Sequence, residues 1–452
     1  MTRLLMIASL VALTACGDDD GTTDGTDLGP IGVDMLPPAD MAVADMAPTD
    51  MPPAPTCEGE DALDPLPASG FLVLSSDFSS TAIGVVSADG TTVETMRWLD
   101  SGTAAPGLVA ALSGDVVLPT TGPASGAAII DRSNDTITRF CQSGALVGQV
   151  RVGTDTVAAN PQDVLFVGAE AWVSRYEPHP EADDADKGSD LLGLDADAMT
   201  RNGMRVDLSG FGGTVTGLDM EGDPADVTVA ARPSSIVQVG DYAVVGLDRL
   251  PADFFGARGF LPGAVAVVDL ATGDAELHEL TDLANCGRVT PVPGGSQVLV
   301  ACGGYSNAGF GDAEGERSTA GLVRLAVGAD GSVTEEASWS VDSDEGNLAA
   351  VGGTLSLDAD RVLGVATGIF GVSGDDLVIT ELSTGDQTVV DTASEAFALG
   401  GPAMLGSVVL VPDASSDGPA VWRFAVGSDG ALTDMGDLTV DAALPPRQIR
   451  AY

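Results

Sequence analysis

The chain is predicted to be all-β and to close into a β-propeller of seven four-stranded blades. Three observations lead there. From about Leu66 onward, short apolar runs alternate with Gly- and Asp-bearing turns, the pattern of strands joined as hairpins. A two-hairpin unit recurs at intervals of roughly 45 to 70 residues, the length of a propeller blade. The two ends of this region read as complementary fragments of one such unit.

In chain order, the first fragment is Phe71-Leu-Val-Leu-Ser-Ser-Asp-Phe followed by Ile83-Gly-Val-Val-Ser-Ala-Asp-Gly, a unit lacking its first strand. The full motif opens on Pro or a small residue, then an apolar pair at alternate positions, a Gly or Asp turn and a Val-rich strand. It begins at Pro106 (Pro-Gly-Leu-Val-Ala-Ala-Leu-Ser-Gly-Asp-Val-Val-Leu), at Pro161 and at Pro233, with weaker copies near Cys286, Leu348 and Pro402. A second hairpin follows each copy, as at Ala264-Val-Ala-Val-Val-Asp-Leu-Ala-Thr-Gly, at Leu377 and at Val421. The last residues, Leu444 to Tyr452, read as a lone first strand. Pairing that strand with the N-terminal fragment would lock the ring and remove its free edges.

The stretch from Asn160-Pro161 to Tyr176 and the Asp-x-x-x-Gly hairpin at Asp269 resemble extracytoplasmic seven-bladed propellers of the YVTN type. The resemblance spans most of residues 65–452 and implies architecture alone; no catalytic set comes with it. The usual Asp-Gly before the second strand of each repeat is often replaced here.

Ahead of the repeats stand two other segments. Residues 1–15 carry Arg3 and an apolar run too short to cross a bilayer, the pattern of a cleaved signal peptide. Leu13-Thr14-Ala15-Cys16 resembles a bacterial lipobox. That resemblance implies cleavage before Cys16, lipidation of its thiol and a place in the cell envelope. Asp18 falls one position later than an inner-membrane retention signal would have it, which favours the outer membrane. Residues 16–56 are rich in Asp, Gly, Thr and Pro, lack aromatics, and repeat Asp-Met four times. Such a composition buries too little apolar surface to offset chain entropy and predicts a disordered, extended linker. Its methionines could serve Cu(I), but no His or second Cys accompanies them. The propeller domain is then 57–452.

With 67 acids against 19 bases and a net charge of −48, the chain repels nucleic acid and anionic headgroups. Cys57, Cys141, Cys286 and Cys302 remain beside the lipobox Cys, an even number on the oxidising side of a membrane. A three-residue loop centred on Gly294 would set Cys286 opposite Cys302; Cys57 with Cys141 follows by elimination. A zinc site is the rival, without any Cys-x-x-Cys spacing.

Chemistry is sparse. Two histidines, His179 and His278, are separated by most of a hundred residues, and Gly-x-Ser-x-Gly is absent. Asp184, Asp186 and Asp190 alternate in the manner of carboxylates around calcium, although Lys187 lies among them and no closing Glu follows. A solvated acidic loop is the other reading. Three long inter-strand segments are candidate binding loops: Tyr176 to Ser189, Leu208 to Val229 and Arg249 to Pro262. The last holds Arg249, Phe254, Phe255, Arg258 and Phe260, a candidate contact patch in a chain poor in aromatics. Arg175, Tyr176 and Arg232 sit at equivalent strand ends and would ring the central channel. No cofactor is expected, calcium excepted. The leading expectation is a membrane-anchored envelope lipoprotein presenting its propeller to a protein, peptide or glycan. A propeller enzyme, quinoprotein-like or lactonase, and a structural surface-coat protein are the alternatives; whether any catalysis occurs stays open.

Overall fold

The computed structural model describes residues 63–218, 223–251, 259–292, 294–304, 319–340, 353–368 and 371–452. Cys16, Cys57 and the signal and linker segments lie outside them. Within them the chain forms seven four-stranded antiparallel sheets and one two-stranded hairpin. Blade 2 runs Val116–Val117, Ala127–Asp131, Thr136–Phe140, Leu146–Arg151, and blade 3 runs Pro161–Val167, Glu170–Arg175, Asp190–Asp195, Thr200–Asp207. Blade 4 is Pro233–Val239, Tyr242–Leu247, Ala264–Asp269, Ala275–Glu279, and blade 5 is Arg288–Pro291, Gln297–Gly303, Ala320–Val327, Val333–Ser340. Blades 6 and 7 begin at Thr354–Ser356 and Ala403–Leu405.

Blade 1 is shared between the ends. The C-terminal strand Pro446–Ala451 pairs antiparallel with Gly70–Ser76, which continues into Thr81–Ser87 and Val93–Asp100. The first strands of blades 3, 4, 5 and 6 touch in succession, as do those of blades 7 and 1, so the first strand of each blade is innermost. Fourth strands are outermost and alternate partly buried with exposed residues, as Val333–Ser340 does, because only one face of that strand meets a neighbour.

The core lies between adjacent sheets. Leu72, Ile83 and Leu99 of blade 1 meet Ile129 and Phe140 of blade 2, all fully buried, with Trp98 edge-on to Phe140 at 5.1 Å. Each such aliphatic or aromatic side chain contributes about 1.5–3 kcal/mol. Buried carboxylates supplement this packing. Asp163 of blade 3 accepts the backbone N–H groups of Thr120 and Val164 through one oxygen and of Ile236 through the other, linking three blades. Burial raises its pKa to about 6, against the lowering effect of those hydrogen bonds.

Three details differ from the sequence reading. The segment from Pro106 was expected to supply a first strand, but it is irregular, and Val116–Val117 is the inner strand instead. Side chains take up its backbone: Gln149 accepts from Val109 and Ala110, and Asp131 from Ser113. The stretch from Leu208 to Val229 is not a plain loop, since Gly213–Leu218 pairs with Pro224–Val229 as a hairpin. The Cys286–Cys302 disulfide is present, yet its strands pair one residue out of the expected register, Arg288 opposite Ala301. Cys286 precedes its strand and reaches Cys302 from there. Cys141 is also disulfide-bonded.

Candidate functional site

Four antiparallel strands per blade sort the connections onto two faces. The second-to-third connections and those between blades share one face; the first-to-second and third-to-fourth connections share the other. The latter are tight, such as 168–169, 240–241, 270–274 and 406–407, with 118–126 the long exception. The former include 101–115, 176–189, 208–232 and 248–263. We call these the turn face and the loop face. Among the described residues, every non-glycine position at positive φ except Met199 lies on the loop face. Among the described residues, exposed large apolar side chains also gather there: Phe78, Val109, Leu218, Phe260 and Val372, leaving only Met96 and Val389, both on outer strands. Segment 63–69 instead runs along the turn face, where Leu63 and Leu66 donate to the carbonyls of Gly144 and Gln142.

The loop 176–189 is held from beneath by Arg175, whose side chain is 1% exposed. Its Nε and Nη2 grip both oxygens of Asp190 at 2.8 and 2.6 Å. Its remaining donors reach Asp186 and the carbonyls of Val152 and Ala185. Arg201 adds a second contact to Asp186, and Arg205 one to Asp190. This corrects two expectations. Asp184, Asp186 and Asp190 do not converge on a cation: Asp184 pairs with Lys187 while arginines occupy the other two, and no metal-holding group of carboxylates, His or Cys occurs among the described residues. Arg175 does not line the channel, because the same carboxylates bury it within blade 3.

Tyr176 and Arg232 do come together, the guanidinium 4.8 Å from the ring centre. Both are buried, and Arg232 also pairs with Glu177, so they brace the loop rather than ring an open channel. Arg249 is 3% exposed and ties the base of the hairpin to blade 4 through the carbonyls of Phe211 and Pro262 and the carboxylate of Glu279. Phe254, Phe255 and Arg258 lie outside the described residues. His179, in the loop 176–189, donates to the Ala158 carbonyl, and His278, on the fourth strand of blade 4, stands near Glu335 of blade 5.

A small cavity of about 40 Å³, open to solvent, indents the loop face where blades 7, 1 and 2 meet. Phe78, Asp115, Val116, Arg132, Phe397 and Arg447 are among its lining residues. Both phenylalanines are left-handed, at φ +67° and +63°, a conformation bulky residues seldom adopt. Neighbours impose it. Asp375, 1% exposed, accepts backbone N–H groups of Gly368, Phe397, Ala398 and Leu399, so it fixes the cavity wall from blade 6. Burial raises its pKa, the hydrogen bonds opposing. At the other wall Ser76 Oγ receives the Phe78 N–H and donates to the Gly114 carbonyl. Gly114 has no room for more: a Cβ would stand 2.1 Å from the Phe78 carbonyl oxygen. This cavity escaped the sequence reading, since five separate segments build it; the only local signals are Phe78 inside the Asp77 turn and Arg447 after Pro445-Pro446.

Fold and site together define a seven-bladed propeller with one elaborated face. No protein-family model matches the chain, and no curated protein does. Among solved structures it is similar to a Bacteroides uniformis protein assigned as a 6-phosphogluconolactonase (16% identity, TM-score 0.49, 85% of this chain and 99% of that one). It is similar also to the periplasmic gluconolactonase of Pseudomonas aeruginosa (14%, 0.47, 85% and 98%). TolB from Acinetobacter baumannii is a third (11%, 0.38, 85% and 66%). The functional reading therefore rests on this chain's own residues.

Proposed function

We propose that the protein is a lipid-anchored envelope module, held in the outer membrane through Cys16, whose propeller binds a protein, peptide or glycan with its loop face. The observation that carries this is the division of labour between the faces. Long connections, strained backbone and exposed apolar side chains share one face, whereas the chain arrives from the linker along the other. A tether fixed to the turn face directs the loop face away from the lipid. Strain and exposed apolar groups cost stability and concentrate where binding uses them.

Two measurements test the proposal. Cys16→Ser should move the protein from the membrane fraction to the soluble envelope fraction and abolish incorporation of labelled fatty acid; retention with unchanged labelling refutes the anchor. The full chain, immobilised, should retain a defined envelope component. Replacing hairpin residues 214–228 by a short Gly-Ser turn should abolish retention, while Glu170→Lys or Ser407→Lys on the turn face should leave it intact. The reverse pattern refutes the loop face as the binding face.

A further inference from the structure

Arg447 has an environment unlike that of the cavity's other arginine. Arg132, on the far wall, pairs with Asp115. Arg447 makes one hydrogen bond among the described residues, from Nε to the Ser76 carbonyl at 3.2 Å, and has no carboxylate within ion-pair distance. Its guanidinium carbon lies 4.8 Å from the centre of the Phe78 ring. The nearby carboxylates are occupied elsewhere. Asp77 caps its own turn at Ser79 and Ser80, and Glu395 accepts from the Ser416 N–H and hydroxyl. Burial holds the Arg447 pKa below the usual arginine range, with the charges of Glu395 and Asp77 opposing. In a chain with 67 acids, an arginine with no direct carboxylate contact among the described residues is a costly arrangement.

We infer that Arg447 and Phe78 form a subsite for a monocarboxylate bearing an apolar body. The inference rests on the loop face being the binding face and names the chemistry its cavity accepts. With Nε engaged, Nη1 and Nη2 are left to receive two carboxylate oxygens side by side. Phe78 stacks beneath the guanidinium and keeps its plane fixed. Phe397, Leu399 and Val116 supply apolar wall for the rest of the ligand. One charge suits the site better than two: Asp115, Asp77 and Glu395 surround it, and Arg132 is already neutralised. A dianionic phosphate would meet more repulsion than one guanidinium offsets. A small organic acid and a peptide C-terminus share this chemistry.

Calorimetric titration of the full chain tests it with 3-phenylpropionate, 3-phenylpropionamide, inorganic phosphate and the peptide acetyl-Ala-Ala-Phe with a free C-terminus. The acid should bind saturably, and the amide and phosphate at least tenfold more weakly. Arg447→Gln should weaken the acid at least tenfold, Arg447→Lys less, and Phe78→Ala measurably, with thermal unfolding of each variant confirming a folded ring. Binding of the peptide as well as the small acid assigns the peptide C-terminus; binding of the small acid alone assigns a free organic acid. No saturable binding of either acid, equal binding of acid and amide, tighter binding of phosphate, or an unaffected Arg447→Gln overturns the inference. The hairpin-deleted chain should keep carboxylate binding, so failure at this subsite is distinguishable from failure of the loop face to dock a partner.

Discussion

Single buried carboxylates tie elements together within a blade as well as between blades. Asp190 is fully buried against Arg175 and Arg205. Asp190→Asn strands the Arg175 guanidinium and should cost about 3–5 kcal/mol in urea unfolding, because breaking one side of a buried pair leaves an uncompensated charge. Asp163 carries a pH signature. Its folded pKa of about 6 lies above that of an unfolded Asp, so the folded state holds an extra proton between the two values. Its contribution is full below the unfolded pKa and is lost as pH rises through about 6. Asp163→Asn should therefore cost about 2 kcal/mol more at pH 4.5 than at pH 7. A pH-independent difference between variant and parent would contradict the assignment.

At the scale of elements, the Cys286–Cys302 disulfide ties the approach to blade 5 to its second strand, in a core shared with blade 4. Closing a loop with sequence separation 16 contributes about 3 kcal/mol by restricting the unfolded chain. Replacing both cysteines by Ala should lower the urea midpoint accordingly, with the denaturant slope showing how much more open the unfolded chain becomes. Elements such as Pro161–Val167, Ala264–Asp269 and the strand at Asp376–Glu381 were legible because apolar runs and Gly/Asp turns repeat. The segment from Pro106 was not. Its alternation mimics a strand, while the side chains that claim its N–H groups, Gln149 and Asp131, come from strands later in the chain. The candidate site was less legible still. Loop length and arginine content pointed to Tyr176 to Ser189 and Arg249 to Pro262, around which Arg175, Arg232 and Arg249 prove to be braces. Arg447 looked like an ordinary strand residue, because its lack of a carboxylate depends on where Asp77 and Glu395 spend their hydrogen bonds.

At the scale of the molecule, the ring closes through Pro446–Ala451, which fills the innermost place of blade 1. Gln448 accepts the Leu118 N–H from blade 2, Arg97 pairs with Asp441, and Ile449 joins the core between blades 7 and 1. Ending the chain at Leu444 should remove cooperative thermal unfolding altogether rather than shift its midpoint, since both neighbours of the missing strand lose their packing. Calorimetry showing an intact transition would count against ring closure as the main constraint.

The same closing strand sets an order of events during biosynthesis. Among the described strands, Gly70–Ser76 is made first and its partner last. Until Pro446–Ala451 has been made and docks, the edge of that first sheet has its N–H and C=O groups unmatched, and any other strand of suitable register competes for them. Ring closure thus waits on Pro446–Ala451, and cannot be reached while that strand is still being synthesised or threaded.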